Sequence, residues 1–120
     1  MNWPDQIEAA REVDIETRRA DDAPAHRTTI WAVVEDGDVY VRSWRGGASR
    51  WFREITANPV AVLHVGGEAI PVRATAATDP DSVERASAGY RRKYADSSVV
   101  GSMVRDEIRE TTLRLEPDRQ

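Results

Sequence analysis

Residues 40–59 read YVRSWRGGASRWFREITANP, and this stretch decides how the rest of the chain is to be folded. Tyr40, Arg42 and Trp44 alternate with Val39, Val41 and Ser43, which is the period of a strand. Gly46-Gly47 then breaks it, since glycine turns the backbone at little cost and lets a ligand approach closely. Ser49 is placed to cap a helix that carries Trp51, Phe52 and Ile55 inward and stops at Asn58, ahead of Pro59. Strand, glycine turn and helix N-terminus, with Arg42, Arg45 and Arg50 around them, make a candidate anion cradle. The cradle points to a phosphate-bearing ligand and names no reaction.

Working outward, Thr28 begins a strand that runs to Glu35, and Asp36-Gly37 turns it into the strand at 39–44 as a two-residue hairpin. Both faces of 28–35 are apolar, which suits a barrel wall covered outside by a helix or a partner. Upstream, Trp3-Pro4 opens a short helix, and residues 12–17 alternate as a half-buried strand that runs into the polar loop after Arg18-Arg19. Downstream, residues 60–65 form a strand that Gly66-Gly67 turns into 68–78; Pro71 marks that second strand as an edge or bulged one. Asp79-Pro80 starts a helix with Val83, Ala86, Tyr90 and Tyr94 along one face. A loop, a short helix over 103–109, a closing strand over 111–116 and a polar tail at 116–120 complete the chain. The pattern predicts one α+β domain over 1–120: a small antiparallel barrel of about six strands with flanking helices.

Composition narrows the function. A net charge of -4 argues against general nucleic-acid binding. Arginine supplies nearly all positive charge, Lys93 being the one lysine; arginine favours bidentate phosphate binding, although base composition produces the same bias. With no cysteine, disulfides, thiol nucleophiles and cysteine-bound metals drop out. Two histidines, His26 and His64, lack metal-ligand spacing, so no metal site is expected. No apolar run is long enough to span a bilayer and the N-terminus lacks a signal-peptide pattern, so a cytoplasmic protein is expected, with no membrane partner.

The segment RTTIWAVVEDGDVYVRSWRGGASRWFREITANPVAVLHVGGEAIPVRA resembles the split β-barrels of the pyridoxamine-phosphate-oxidase-like superfamily, above all their deazaflavin-dependent nitroreductase branch. The resemblance rests on Ser43, Gly46, Gly47, Trp51 and Thr56-Ala57-Asn58-Pro59. Over nearly its full length the chain is also similar to a group of short bacterial proteins known only as a domain of unknown function. The signature of that group stands here as Thr29-Ile30-Trp31, residues 40–46, Trp51-Phe52, residues 90–94 and residues 111–115. The resemblance implies a homodimer with cofactor grooves at the subunit interface. It also implies a phosphorylated flavin or deazaflavin, FMN or an F420-type molecule, held by Arg42, Ser43, Trp44, Arg45, Gly46, Gly47, Ser49, Arg50 and Trp51. The first loop carries Arg18-Arg19 and His26-Arg27-Thr28 in place of the branch's glycine-serine pattern.

Each of these residues also has a plainer reading. The arginines could be a salt-bridged surface patch, and Trp44 and Trp51 could be core or interface rather than a stacking platform. His64 could donate a proton to a ring nitrogen or be hydrogen-bonded in the barrel; His26 could be exposed or a minor phosphate contact. Tyr90, Lys93 and Tyr94 could reach a substrate or form one helix face with Lys93 solvated. Two functions follow: an oxidoreductase passing hydride or electrons to a small organic acceptor, or a cofactor-free structural homodimer on the same fold.

Overall fold

The computed structural model describes residues 2–118. Its helices are α1 (Trp3–Ala9), α2 (Arg50–Ala57), α3 (Pro80–Lys93) and α4 (Val100–Met103), with 3-10 turns at Gly46–Ala48 and Asp106–Thr111. Its strands are β1 (Val13–Thr17), β2 (His26–Ile30), β3 (Ala32–Glu35), β4 (Asp38–Val41), β5 (Val60–Val65), β6 (Glu68–Ala76) and β7 (Leu113–Pro117). None of the described helices is long and apolar enough to cross a membrane.

All seven strands join one antiparallel sheet in the order β2-β1-β5-β6-β7-β4-β3. The two outermost strands are consecutive in the chain, with only Trp31 between them. In a flat sheet six gaps would hold them about 29 Å apart, at about 4.8 Å per gap. The sheet therefore curls until its ends meet, and the result is an open barrel split at Trp31.

The single strand expected over 28–35 is thus two strands, and seven replace the expected six. The reason is non-local. Val13, Ile15 and Thr17 fix β2 to β1, whereas Val33 and Val34 pair with Tyr40 and Val39 on the far side. At the break the Trp31 carbonyl accepts from Tyr90 Oη (2.8 Å), and the Trp31 ring stacks on Tyr94 with centroids 3.9 Å apart.

Inward-facing residues of β1, β4, β5 and β7 fill the barrel with Ile7 of α1 and Trp51 and Ile55 of α2. A second apolar layer outside the β3-β4 hairpin joins Val33 and Tyr40 to Ala86, Tyr90 and Tyr94 of α3, with Met103 and Ile108. The two apolar faces of that hairpin are explained by α3. Both predicted turns form, with Asp36, Gly37, Gly66 and Gly67 at positive φ. Asp79 caps α3, its carboxylate accepting from Ser82 N at 3.1 Å, and that bond holds its pKa below the usual carboxylate range.

Four expectations need correction. β4 ends at Val41 rather than Trp44, because its neighbours run out there: Val41 pairs with both Ala32 and Leu113. β6 is neither an edge nor a bulged strand, since its register with β5 and β7 is continuous. Pro71 lies one residue beyond the β7 pairing, where its missing N–H faces no strand and its carbonyl accepts from Asp118 N. The helix expected over 103–109 is instead α4 followed by a 3-10 turn, because Arg105 is extended (φ -70°, ψ 151°) and interrupts it. Pro117, assigned to the tail, pairs with Val72 in the sheet next to Glu116, which pairs with Arg73 as the end of the closing strand; residues 119 and 120 of that tail lie outside the described residues.

Gly89 marks the tightest approach of α3 to the sheet. A Cβ there would lie 2.9 Å from Val33 Cγ2 and 3.1 Å from Glu35 Cγ. Alanine adds about 1 kcal/mol of helix preference, but overpacking costs about 1–3 kcal/mol. Gly89→Ala is expected to lower the urea midpoint; a raised midpoint would mean that α3 can retreat from β3.

Candidate functional site

Beyond Val41 the chain leaves the sheet, and its backbone groups are taken up by side chains from distant segments. Arg42 N donates to Tyr90 Oη (3.0 Å) and Ser43 N to Thr111 Oγ1 (3.0 Å). Ser43 Oγ donates to the Gly46 carbonyl (2.6 Å) and meets Ser49 Oγ at 2.7 Å. Gly46 sits at φ 80°, a conformation that favours glycine, so the chain reverses there into α2. Arg105 holds the outside of this corner by donating to the carbonyls of Trp44 and Ser102.

The corner forms one wall of a cavity of about 800 Å³. Arg42, Ser43, Trp44, Arg45, Ser49, Arg50 and Trp51 all line it, so seven of the nine expected site residues are brought together; Gly46 and Gly47 do not line it. Glu12, Thr28, Thr29, Ile30 and Trp31 line it too, with Val99 and Met103. Of these, only Thr29-Ile30-Trp31 carried a sequence signal, as part of the unknown-function signature. Glu12 and Val99 had none.

The lining residues differ in what they can offer. Trp44 is 54 % exposed, and with Val99 it is a large apolar side chain left open at the cavity rim. Arg45 and Arg50 are exposed and have no ion-pair or hydrogen-bond partner among the described residues. Ser49 stands at the N-cap of α2, yet its hydroxyl is turned to Ser43 and accepts no helix amide; the expected cap is absent and the first turn keeps its free N–H groups. Trp51 is buried in the barrel, edge-on to Phe52, so its ring is core and only its margin reaches the cavity.

Arg42 is not the phosphate clamp expected of it. It is 1 % exposed, and its guanidinium already donates to Thr112 Oγ1 (2.9 Å), Ser87 Oγ (2.9 Å) and the carbonyls of Met103 (3.0 Å) and Val83 (2.8 Å). No carboxylate pairs with it among the described residues, and burial pulls its pKa below the usual arginine range.

The other singled-out residues lie elsewhere. His64 Nε2 meets Glu16 Oε1 (2.9 Å) across β5 and β1, which is the hydrogen-bonded reading. His26 Nδ1 meets Glu54 Oε2 (3.0 Å), and Thr17 donates to the same carboxylate (2.8 Å). Arg18 donates to loop carbonyls and Arg27 to Asp14. Lys93 is not solvated as expected: it donates to the carbonyls of Ile7 (2.9 Å) and Ala32 (2.7 Å), so it clamps α1 to β3. Among the described residues no cluster of His, Asp and Glu is arranged to hold a metal ion.

Burial pushes the Lys93 ammonium down to about 8 and the Tyr90 and Tyr94 hydroxyls up. Between pH about 8 and the ordinary lysine value near about 10.4, folded Lys93 has lost a proton that the unfolded chain keeps, so stability rises with pH across that window. The tyrosines oppose this only as pH passes their ordinary value near about 10. The parent's urea midpoint relative to Lys93→Met should therefore grow from pH 8 to about pH 9.5; a constant difference would mean that Lys93 keeps its ordinary acidity. Arg42→Met removes four buried hydrogen bonds and should cost about 2–4 kcal/mol in the same assay.

Residues 5–115 match the family described as "Uncharacterized protein conserved in bacteria (DUF2255)". No curated protein matches the chain in sequence. Among solved structures, the haem storage protein HutZ of Vibrio cholerae is similar at 11 % identity, covering 97 % of this chain and 87 % of its own, with a TM-score of 0.73. An F420-H2 dependent reductase, FDR-A, is similar at 17 % identity over 88 % of this chain and 94 % of its own, TM-score 0.66. A putative pyridoxamine 5'-phosphate oxidase of Listeria innocua is similar at 15 % over 96 % and 90 %, TM-score 0.65. A further similar structure is of a domain-swapped dimer, at 17 % identity over 88 % and 80 %, TM-score 0.67. At these identities the likeness is one of fold, and the fold is the pyridoxamine-phosphate-oxidase-like split barrel.

Proposed function

The chain belongs to this bacterial family, and from that premise we propose that its cavity binds a phosphorylated flavin or deazaflavin, FMN or an F420-type molecule, and that a second copy closes over it. The observation that carries the reading is the convergence of Trp44, Arg45 and Arg50 on one cavity wall beside an uncapped helix. Arg45, Arg50 and the free amides of α2 would hold the phosphate, and the exposed Trp44 indole would lie against the ring. A cavity of about 800 Å³ is in the range of small-molecule sites. Bound there, the cofactor would supply hydride or electron transfer to a small organic acceptor, while the protein holds and orients it. Trp44 and Val99, both at the rim, are the apolar surface that a second copy would cover, so the homodimer and the cofactor groove are one proposal.

A histidine-ligated haem does not suit the same cavity. Histidine ligation needs an imidazole at the site, and His26 and His64 are both held by carboxylates outside it. A cofactor-free dimer is favoured by a different observation: Arg42 is satisfied by protein acceptors alone and needs no ligand.

Titration with FMN and with the deazaflavin, read by fluorescence quenching, separates the two. Under the cofactor reading one of them binds at micromolar concentration, and Arg45→Ala weakens it by roughly 1.5–3 kcal/mol, about ten- to a hundredfold. Light scattering should then give a dimer. A parent that takes up neither cofactor leaves the structural dimer as the better account.

A further inference from the structure

The curled sheet has two free edges, and the chain treats them differently. Along β3 the carbonyls are taken one after another by α3: Ala32 by Lys93 and Tyr94, Val34 by Arg92 (2.8 Å) and Glu35 by Arg85 (3.2 Å). Just before that strand, Tyr90 takes the Trp31 carbonyl. Along β2 nothing comparable exists among the described residues. It pairs with β1 alone, and no side chain reaches its backbone on the other side. Its outward N–H and C=O groups are therefore unpaired, the condition that natural sheets normally cover or disrupt.

That edge faces the cavity. Thr28, Thr29, Ile30 and Trp31 all line it, although successive side chains of a strand point to opposite faces. Ile30 is buried in the barrel, while the Thr29 hydroxyl donates to Asp14 on the outer face (2.7 Å). Three consecutive strand residues, 28–30, lining one cavity fit a strand that presents its edge to it. The edge shares this cavity with Trp44, Arg45 and Arg50.

We infer that the free edge of β2 reads the ring of the ligand. A planar heterocycle with an N–H beside a C=O, as in an imide or lactam, can form with one outward residue the paired N–H···O and O···H–N bonds that a neighbouring strand would form. This rests on the cofactor reading and deepens it. Isoalloxazine and its deaza counterpart both carry an imide edge, so the ring is recognised by backbone groups and the phosphate by the arginine wall. Because the backbone does the reading, no side chain in residues 28–31 has to bear the signal.

The test uses whichever of FMN and the deazaflavin the parent binds, together with the same molecule methylated at the imide nitrogen. Methylation removes the ring donor and leaves the phosphate intact. It is expected to weaken binding roughly tenfold or more. The unmethylated ligand should also slow amide hydrogen exchange within residues 28–31. Equal affinity of the two molecules, without slowed exchange, overturns the edge inference while leaving the cofactor reading standing. Failure of the parent to bind either cofactor overturns both. Outward amides of 28–31 already protected in the ligand-free dimer would assign the edge to a second copy of the chain and overturn the inference in that way.

Discussion

A guanidinium buried without a carboxylate holds this molecule together at the point where its sheet ends. Arg42 follows the last residue of β4, and its donors reach α3 twice, the end of α4 once and the start of the β7 segment once. Four neutral acceptors spread the cost of taking the charge out of water, and the Tyr90 ring lies 5.9 Å away under it. Buried ions are costly even when fully hydrogen-bonded, and here the four acceptors come together from α3, α4 and the segment leading into β7. Tyr90 completes the joint by accepting from Arg42 N and donating to the Trp31 carbonyl.

The residues that the sequence resemblance rested on, although dispersed along the chain, meet at the same joint. Thr29-Ile30-Trp31 contains the split, residues 40–46 contain Arg42 and Ser43, residues 90–94 supply Tyr90, Lys93 and Tyr94, and residues 111–115 supply Thr111 and Thr112. Trp31 stacks on Tyr94, Tyr90 bridges Trp31 and Arg42, Thr112 accepts from Arg42, and Thr111 accepts from Ser43 N. These residues satisfy one another around the break in the sheet. The cavity lies at that break, lined both by β2, at one end of the sheet, and by the corner that follows β4, next to the other end.

Burial divides the arginines of the opening stretch into two kinds. Arg42 is consumed by the fold, whereas Arg45 and Arg50, three and eight residues on, stay exposed and without partners among the described residues. All three arginines line the same cavity.

Some features were decided by residues a few positions apart, and those could be read from the sequence alone. Asp79-Pro80 starts α3, Asp36-Gly37 and Gly66-Gly67 make their turns, Val13, Ile15 and Thr17 alternate inward, and Asn58-Pro59 ends α2. Each depends on φ/ψ preference, capping or a period of two, which the local chain sets. The resemblance to split barrels rested on the same local motifs, and the likeness to solved structures shows that fold. What only the tertiary structure decided is which of several equally polar or equally apolar residues would find partners far along the chain. The acceptors of Arg42 are 41 to 70 residues away, and Trp31 divides an apolar run in two because its flanks pair with opposite ends of the sheet. Pro71 fits a doubly paired strand because β7 stops one residue short of it. A sequence shows that a side chain can donate; only the folded chain shows whether an acceptor is already there.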